Sequence, residues 1–202
     1  MDVSFAYFLE IAGIVVFTIS GAFSAMQKRF DAFGVLIIGF VTSTGGGTIR
    51  DVLIGQTPVT WMKEINTPLI ILVTVIVTLF FKHYIKSLKI TLFVFDALGL
   101  GLFTITGIQK GINAGLDPGI CIILGTITGS FGGVLRDILL NNIPIIFRKE
   151  IYATACIVGG IIYFTLIPFV DKDLSKIIAI LIVFGIRIVA VRYNLSMPKF
   201  YA

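Results

Sequence analysis

Charge is scarce in this chain. Only 13 % of its 202 residues are Asp, Glu, Lys or Arg, where a soluble domain carries about a quarter. So little charge cannot cover a surface in water, and this excludes a soluble globular protein. Histidine occurs once, as His83 in a basic loop, so no metal-binding cluster is available. The two cysteines, Cys121 and Cys156, lie in apolar stretches and are expected near opposite membrane faces. They read as buried thiols rather than a disulfide. Nucleophile elbow, phosphate-binding loop, paired histidines and Cys-x-x-Cys are all missing, so enzyme chemistry is not expected. The glycine run at 45–47 is followed by Thr48 but lacks the lysine of a phosphate cradle.

What is present is apolar sequence. Hydrophobic residues make up 57 % of the chain, and the mean hydropathy is +1.04. Seven apolar stretches run at about 4–26, 33–54, 65–81, 90–109, 119–140, 151–170 and 174–191. Most are long enough to cross a ~30 Å hydrocarbon core at ~1.5 Å per residue; the third is short. The first has acidic Asp2 and Glu10, no basic leader and no small-residue cleavage site, so it reads as a retained helix. The fold expected is all-α: a polytopic membrane protein with a single membrane domain over 1–202.

The net charge of +5 is spread over short loops and reads as an orientation signal, with no nucleic acid as partner. In a seven-span arrangement Lys28, Arg29, Lys82, Lys86, Lys89, Arg148, Lys149, Arg192 and Lys199 share one side. Lys63, Lys110, Lys172 and Lys176 share the other. The bias places the N-terminus outside and the C-terminus in the cytoplasm of a multi-pass cell (inner) membrane protein. Lys28-Arg29 and the Lys82–Lys89 cluster read as solvated or phospholipid-facing, which makes membrane lipids partners. Arg187, near the cytoplasmic end of the last span, is expected to snorkel. Trp61, Tyr152 and Tyr193 suit interfacial belts.

The second and fifth stretches carry related motifs. TSTGGGTIRDVLIG (42–55) has a twin, TGSFGGVLRDILLN (128–141), and a shift of 86 residues aligns the halves without a gap. Over 17–64 against 103–150 there are 16 identities in 48 positions. They include Gly46-Gly47 with Gly132-Gly133, Arg50-Asp51 with Arg136-Asp137, and Pro58 with Pro144. Glu10 aligns with Asp96, an acid for an acid. Apolar composition alone matches Leu and Ile, not this set. Each copy holds three spans, so the second enters from the opposite face. The halves, about 4–86 and 90–172, read as inverted repeats, with a seventh helix at about 174–192 outside them.

Glycine in a membrane helix has two readings. It lets helices pack closely, or it breaks the helix, at roughly 1 kcal/mol per glycine relative to alanine. A break frees backbone groups, which is tolerated at membrane depth only in protein or beside a water-filled cavity. Gly45, Gly46 and Gly47, beside Thr42, Ser43, Thr44 and Thr48, fit the second reading. Gly132 and Gly133, near Thr128 and Ser130, are their counterparts. Two breaks on inverted halves would meet near the midplane as a substrate or ion pathway. Arg50 and Arg136 cost several kcal/mol at depth unless paired, hydrated or snorkelling. Equal depths predict Glu10–Arg50 and Asp96–Arg136 pairs. Neighbouring Arg and Asp on a helix do not face each other, so Asp51 and Asp137 are expected to cap helix ends, meet water or attract cations. The alternative is that these charges only brace the bundle.

Duplicated GG-x-x-R-D motifs on the second and fifth of seven spans resemble the prokaryotic branch of the trimeric intracellular cation channel family. Related bacterial proteins are also filed as a "glycine transporter"-type membrane domain. The resemblance covers essentially the whole chain. It implies a homotrimer with one pore per protomer, running between the repeats and lined by the second and fifth helices, kinked at Gly45–Gly47 and Gly132–Gly133. It implies permeant monovalent cations, potassium above all. No cofactor is expected beyond the permeant K+ or Na+ and any bound lipid. Phe131 replaces the glycine that Gly45 supplies in the first copy. The hydroxyls of Thr42, Ser43, Thr44, Thr48, Thr128 and Ser130, with freed carbonyls, would replace ion hydration. Arg50 and Arg136 would tune or gate the mouths. The rival class is a secondary transporter of glycine or another small solute; a non-conducting scaffold is the third.

Overall fold

The computed structural model describes residues 3–82, 88–148, 151–193 and 195. His83, Lys86, Lys149 and Lys199 lie outside the described residues, as do Lys89 and Arg148 in their side chains. The described residues form α1 (Val3–Gln27), α2 (Ala32–Leu53), α3 (Thr60–Lys63), α4 (Asn66–Phe81), α5 (Leu88–Asn113), α6 (Pro118–Leu139), α7 (Ile145–Arg148), α8 (Ala153–Leu166) and α9 (Lys172–Arg192). No strand occurs among them, as the expectation of an all-α fold requires.

Five helices, α1, α2, α5, α6 and α9, are long and apolar enough to cross a membrane. The apolar helices α4 and α8 have 16 and 14 residues. At ~1.5 Å per residue these span about 20–25 Å, short of a ~30 Å core. Element lengths run in parallel through the halves. α1 and α5 have 25 and 26 residues, α2 and α6 have 22 each, and α3 and α7 have four each. The short α3 and α7 were not expected from the sequence, although each comes just after one of the aligned prolines Pro58 and Pro144.

Local chemistry explains the boundaries. Asp31 caps α2, accepting from the backbone N–H of Gly34 at 2.7 Å. Asp171 caps α9, accepting from the N–H groups of Asp173 and Leu174; both caps satisfy donors that a helix start leaves free. Gly55 and Gly115 sit just past the ends of α2 and α5 with φ of 71° and 73°, a conformation glycine enters without steric cost.

α1 and α5 are the central pair, packed on each other, with α2 against α1 and α6 against α5. α2 and α6 then cross one another. One apolar cluster joins α1, α2 and α4 through Phe17, Val35, Ile38, Ile71 and Val75. A second joins α1, α5, α8 and α9 through Leu9, Ile105, Ile108, Tyr163 and Ile180. Large apolar side chains such as Phe33, Phe80 and Phe169 remain exposed, which lipid rather than water would cover. Cys121 and Cys156 are free and buried, as expected.

Candidate functional site: the α2–α6 crossing and its two arginines

The glycine motifs do not break their helices. Backbone stays α-helical through Gly45–Gly47 and through Gly132–Gly133, which corrects the expectation of freed carbonyls. The glycines make the helix crossing instead. A Cβ on Gly46 would collide with the carbonyl oxygen of Thr128, and one on Gly132 with the carbonyl oxygen of Thr42. These two contacts are equivalent under the 86-residue shift. α2 and α6 thus meet backbone to backbone at one quasi-symmetric point, the close approach that small residues permit. A Cβ on Gly45 would meet Leu135 Cδ1 at 2.6 Å, while Gly47 has nothing nearer than the Arg50 guanidinium at 3.6 Å.

The hydroxyls are also committed to the helix. Thr42, Thr44, Thr48, Thr128 and Ser130 each donate to the carbonyl four residues back, and Ser43 to those of Gly39 and Phe40. Such back-bonding satisfies a buried hydroxyl locally and bends helices slightly. Thr42 and Thr128 are fully buried, because α1 and α5 lie over them: a Cβ on Gly21 would stand 2.6 Å from Thr42 Oγ1, and one on Gly107 2.5 Å from Thr128 Oγ1. Thr48 additionally accepts from Trp61 Nε1 at 3.0 Å.

Both arginines are buried, at 2 % exposure for Arg50 and 1 % for Arg136. Each bonds its own neighbour: Arg50 Nε donates to Asp51 Oδ1 at 2.8 Å, and Arg136 Nε to Asp137 Oδ1 at 3.0 Å. This corrects the expectation that adjacent residues cannot pair. The rule describes exposed mid-helix faces, whereas here the pair sits in the last turn and packing folds the guanidinium back along it. The second carboxylate oxygens cap the short helices downstream. Asp51 Oδ2 accepts from the N–H of Thr60 at 2.7 Å and Asp137 Oδ2 from that of Ile145 at 3.1 Å, the first residues of α3 and α7. Helix capping, one of the roles expected of these aspartates, is the one observed.

The halves differ in the third partner. Arg136 Nη1 donates to Asp96 Oδ1 at 2.6 Å and to Ser20 Oγ at 3.0 Å, so the expected Asp96–Arg136 pair is present and Ser20 joins it. The expected Glu10–Arg50 pair is not formed. Arg50 Nη1 is buried with no partner among the described residues, and Glu10 and Arg50 instead line one cavity of about 30 Å³ with Ser43, Thr44, Gly47 and Thr60. That volume holds about one water molecule. Glu10 also lines a neighbouring cavity of about 230 Å³ with Tyr7, Gln109, Lys110 and Lys176.

Ser20 was missed because a serine in an apolar run carries no charge pattern. Removing its hydroxyl tests the reading: Ser20→Ala is expected to cost about 1–2 kcal/mol. Thermal unfolding in detergent should show Tm lowered by about 2–8 °C, and an unchanged Tm would deny that bond any weight.

Two further expectations are corrected. Arg187 does not snorkel; it is 1 % exposed, because the segment before α8 folds beneath it and offers the Ile151 carbonyl. Tyr152 is not interfacial but 1 % exposed, held in the cluster of Leu100, Ala155, Cys156 and Val183.

A family model described as "Glycine transporter" matches this chain twice, over residues 7–83 and 93–168. The two matches fall almost one repeat shift apart. The UPF0126 inner membrane protein YadS of Escherichia coli (strain K12) is 41 % identical over 199 residues, covering 96 % of this chain and 95 % of that one. A UPF0126 membrane protein of Vibrio cholerae is 38 % identical over 202 residues, covering 99 % and 84 %. Among solved structures, the trimeric intracellular cation channel (TRIC) orthologue from Rhodobacter sphaeroides superposes with a TM-score of 0.89 at 37 % identity, covering 94 % of this chain and 98 % of that one.

The chain belongs to the prokaryotic TRIC family. A second prokaryotic TRIC channel, solved in 0.5 M KCl, has a TM-score of 0.88 at 36 % identity over 95 % of this chain and 98 % of that one. A TRIC channel from C. elegans, with a TM-score of 0.62 at 12 % identity, shares the fold alone. The TRIC resemblance read from the duplicated GG-x-x-R-D motif therefore holds, and the chain is a transmembrane protein of that family.

Proposed function

We propose that this protein is a potassium-permeable monovalent cation channel of the inner membrane rather than an enzyme, working as a homotrimer with one pathway per protomer. The observation that carries this is the quasi-symmetric α2–α6 crossing, with a buried arginine–aspartate motif at each end. Seven spans, as two inverted three-helix repeats plus α9, would set the crossing near the midplane, where repeats of this kind place their pathways. The short α4 and α8 would complete the repeats by local thinning of the bilayer. The N-terminus would face outside and the C-terminus the cytoplasm.

With Gly46 and Gly132 in backbone contact, the crossing is a constriction. Its hydroxyls are turned to helix carbonyls. Conduction therefore requires α2 and α6 to part, exposing the Thr42–Thr48 and Thr128–Ser130 segments to permeant K+ or Na+. Arg50 and Arg136 then act as electrostatic elements at the mouths, their positive charge offset by Asp51, Asp137, Asp96 and Glu10. Support comes from the solved TRIC structures, which are described as cation channels. Membrane lipid is the remaining partner.

The "Glycine transporter" description of the matching family model favours a second reading, coupled transport of glycine or another small solute. Proteoliposomes separate the two. A channel dissipates a potassium gradient far faster than empty vesicles and takes up no glycine. A transporter takes up labelled glycine saturably with little potassium flux, and that outcome would reject the channel.

A further inference from the structure

α9 stands outside the repeat, yet it reaches the Arg136 end of the crossing. Arg187 Nη1 donates to the Ile151 carbonyl at 3.0 Å. Its guanidinium carbon lies 4.6 Å from the centroid of the Tyr152 ring. Next, the Tyr152 hydroxyl points at Gly133. A Cβ built on Gly133 would stand 2.9 Å from that oxygen, 3.6 Å from Arg136 Nη2 and 3.6 Å from Asp96 Oδ1. A tyrosine hydroxyl, a guanidinium and a carboxylate therefore converge on one glycine α-carbon. The Tyr152 hydroxyl and Asp96 Oδ2 are also both buried without a hydrogen-bond partner among the described residues. A donor and an acceptor thus stand idle around the same glycine, and each is costly to leave so.

The Arg50 end has none of this. Under the 86-residue shift Tyr152 corresponds to Asn66, which is exposed. Ser20 corresponds to Thr106, whose hydroxyl donates to the Leu102 carbonyl at 2.9 Å. Glu10, the counterpart of Asp96, forms no ion pair with Arg50 among the described residues. The two ends are related in sequence but differ in state: among the described residues Arg136 has Asp96, Ser20 and Asp137, while Arg50 has Asp51 alone.

We infer that Arg187 and Tyr152 are positioning residues for Arg136. Arg187, stacked on the ring, holds Tyr152 where its hydroxyl can take Asp96 when Arg136 lets go. Asp96 then has two buried partners to choose between, and the choice is a two-state element of the kind that switching requires. The Arg136 end is the held end of the crossing, and its release is governed by α9. The Arg50 end, without α9 or a tyrosine, is the free end. The gating consequence rests on the channel reading; the side-chain coupling does not.

The test uses the purified full-length protein and two readouts. Arg187 and Asp96 form no ion pair with each other among the described residues, so independent roles predict that the Tm losses of Arg187→Lys and Asp96→Asn add. The relay predicts that the double variant loses less than the sum by about 2–4 °C, and strict additivity overturns it. Should Arg187→Lys not fold, Tyr152→Phe with Asp96→Asn forms the same cycle with the same expectation. The second readout is single-channel open probability in Tyr152→Phe, which keeps the ring and its stack but removes the alternative donor. Open probability should fall several-fold, because Asp96 is left with Arg136 only. Unchanged gating in a conducting protein overturns the inference. If the wild type carries no current, the channel reading fails on its own and the thermal cycle alone decides the coupling.

Discussion

Replacing Gly46 with leucine should leave no folded protein. Its Cβ alone would collide with the Thr128 carbonyl oxygen, and a backbone atom in a packed helix cannot turn aside as a side chain can. Overpacking a close-packed interior costs about 1–3 kcal/mol and more where the neighbour is rigid. Gly46→Ala is expected near the top of that range, and Gly46→Leu beyond it. Gly132→Leu should do the same from the other helix, against the Thr42 carbonyl. One residue on, the outcome reverses. A Cβ on Gly47 meets only the Arg50 guanidinium at 3.6 Å, so Gly47→Ala should be neutral or stabilising by up to ~1 kcal/mol through helix propensity. Thermal unfolding of Gly46→Ala and Gly47→Ala in detergent separates packing from flexibility. If the run served as a hinge, Gly47→Ala would impair the protein as much as Gly46→Ala.

Arg136→Met should cost about 3–5 kcal/mol, the penalty for leaving buried charge without its partner. Asp96 is 1 % exposed and Asp137 6 % exposed, so neither carboxylate can turn to water. The double variant Arg136→Met, Asp96→Leu removes the charge at the centre of the site and should recover much of the loss, since a buried ion pair and an apolar replacement are often close in stability. Asp137 keeps its bond to the Ile145 N–H. The same substitution at Arg50 is expected to cost less, because only Asp51 is stranded and Nη1 has no partner to lose among the described residues. Equal losses at the two arginines would deny the asymmetry between the ends.

The all-α fold is legible in the sequence as long apolar stretches, and the 86-residue shift already pairs Gly46 with Gly132 and Arg50 with Arg136. The Asp96–Arg136 pair follows from depth alone. Other features are not legible, for physical reasons. A glycine that admits a neighbouring backbone and a glycine that bends its own look alike along a chain. Only the position of Thr128 against Gly46 decides between them. Arg187 sits near a helix end, where snorkelling is the cheaper course in isolation; the segment carrying Ile151 and Tyr152, remote in sequence, provides a carbonyl and a ring instead. Glu10 and Asp96 align, yet only one holds its arginine. Ser20 joins Arg136 at one end, whereas its counterpart Thr106 donates its hydroxyl to the Leu102 carbonyl.

Planar-bilayer recording on the purified protein, with potassium as the only permeant cation, tests the central claim most directly. The account predicts discrete unitary currents in the wild type and altered open probability in Arg136→Lys, which keeps the charge but loses the forked geometry that reaches Asp96, Asp137 and Ser20 together. A silent bilayer, from protein that in proteoliposomes accumulates glycine saturably, would contradict it.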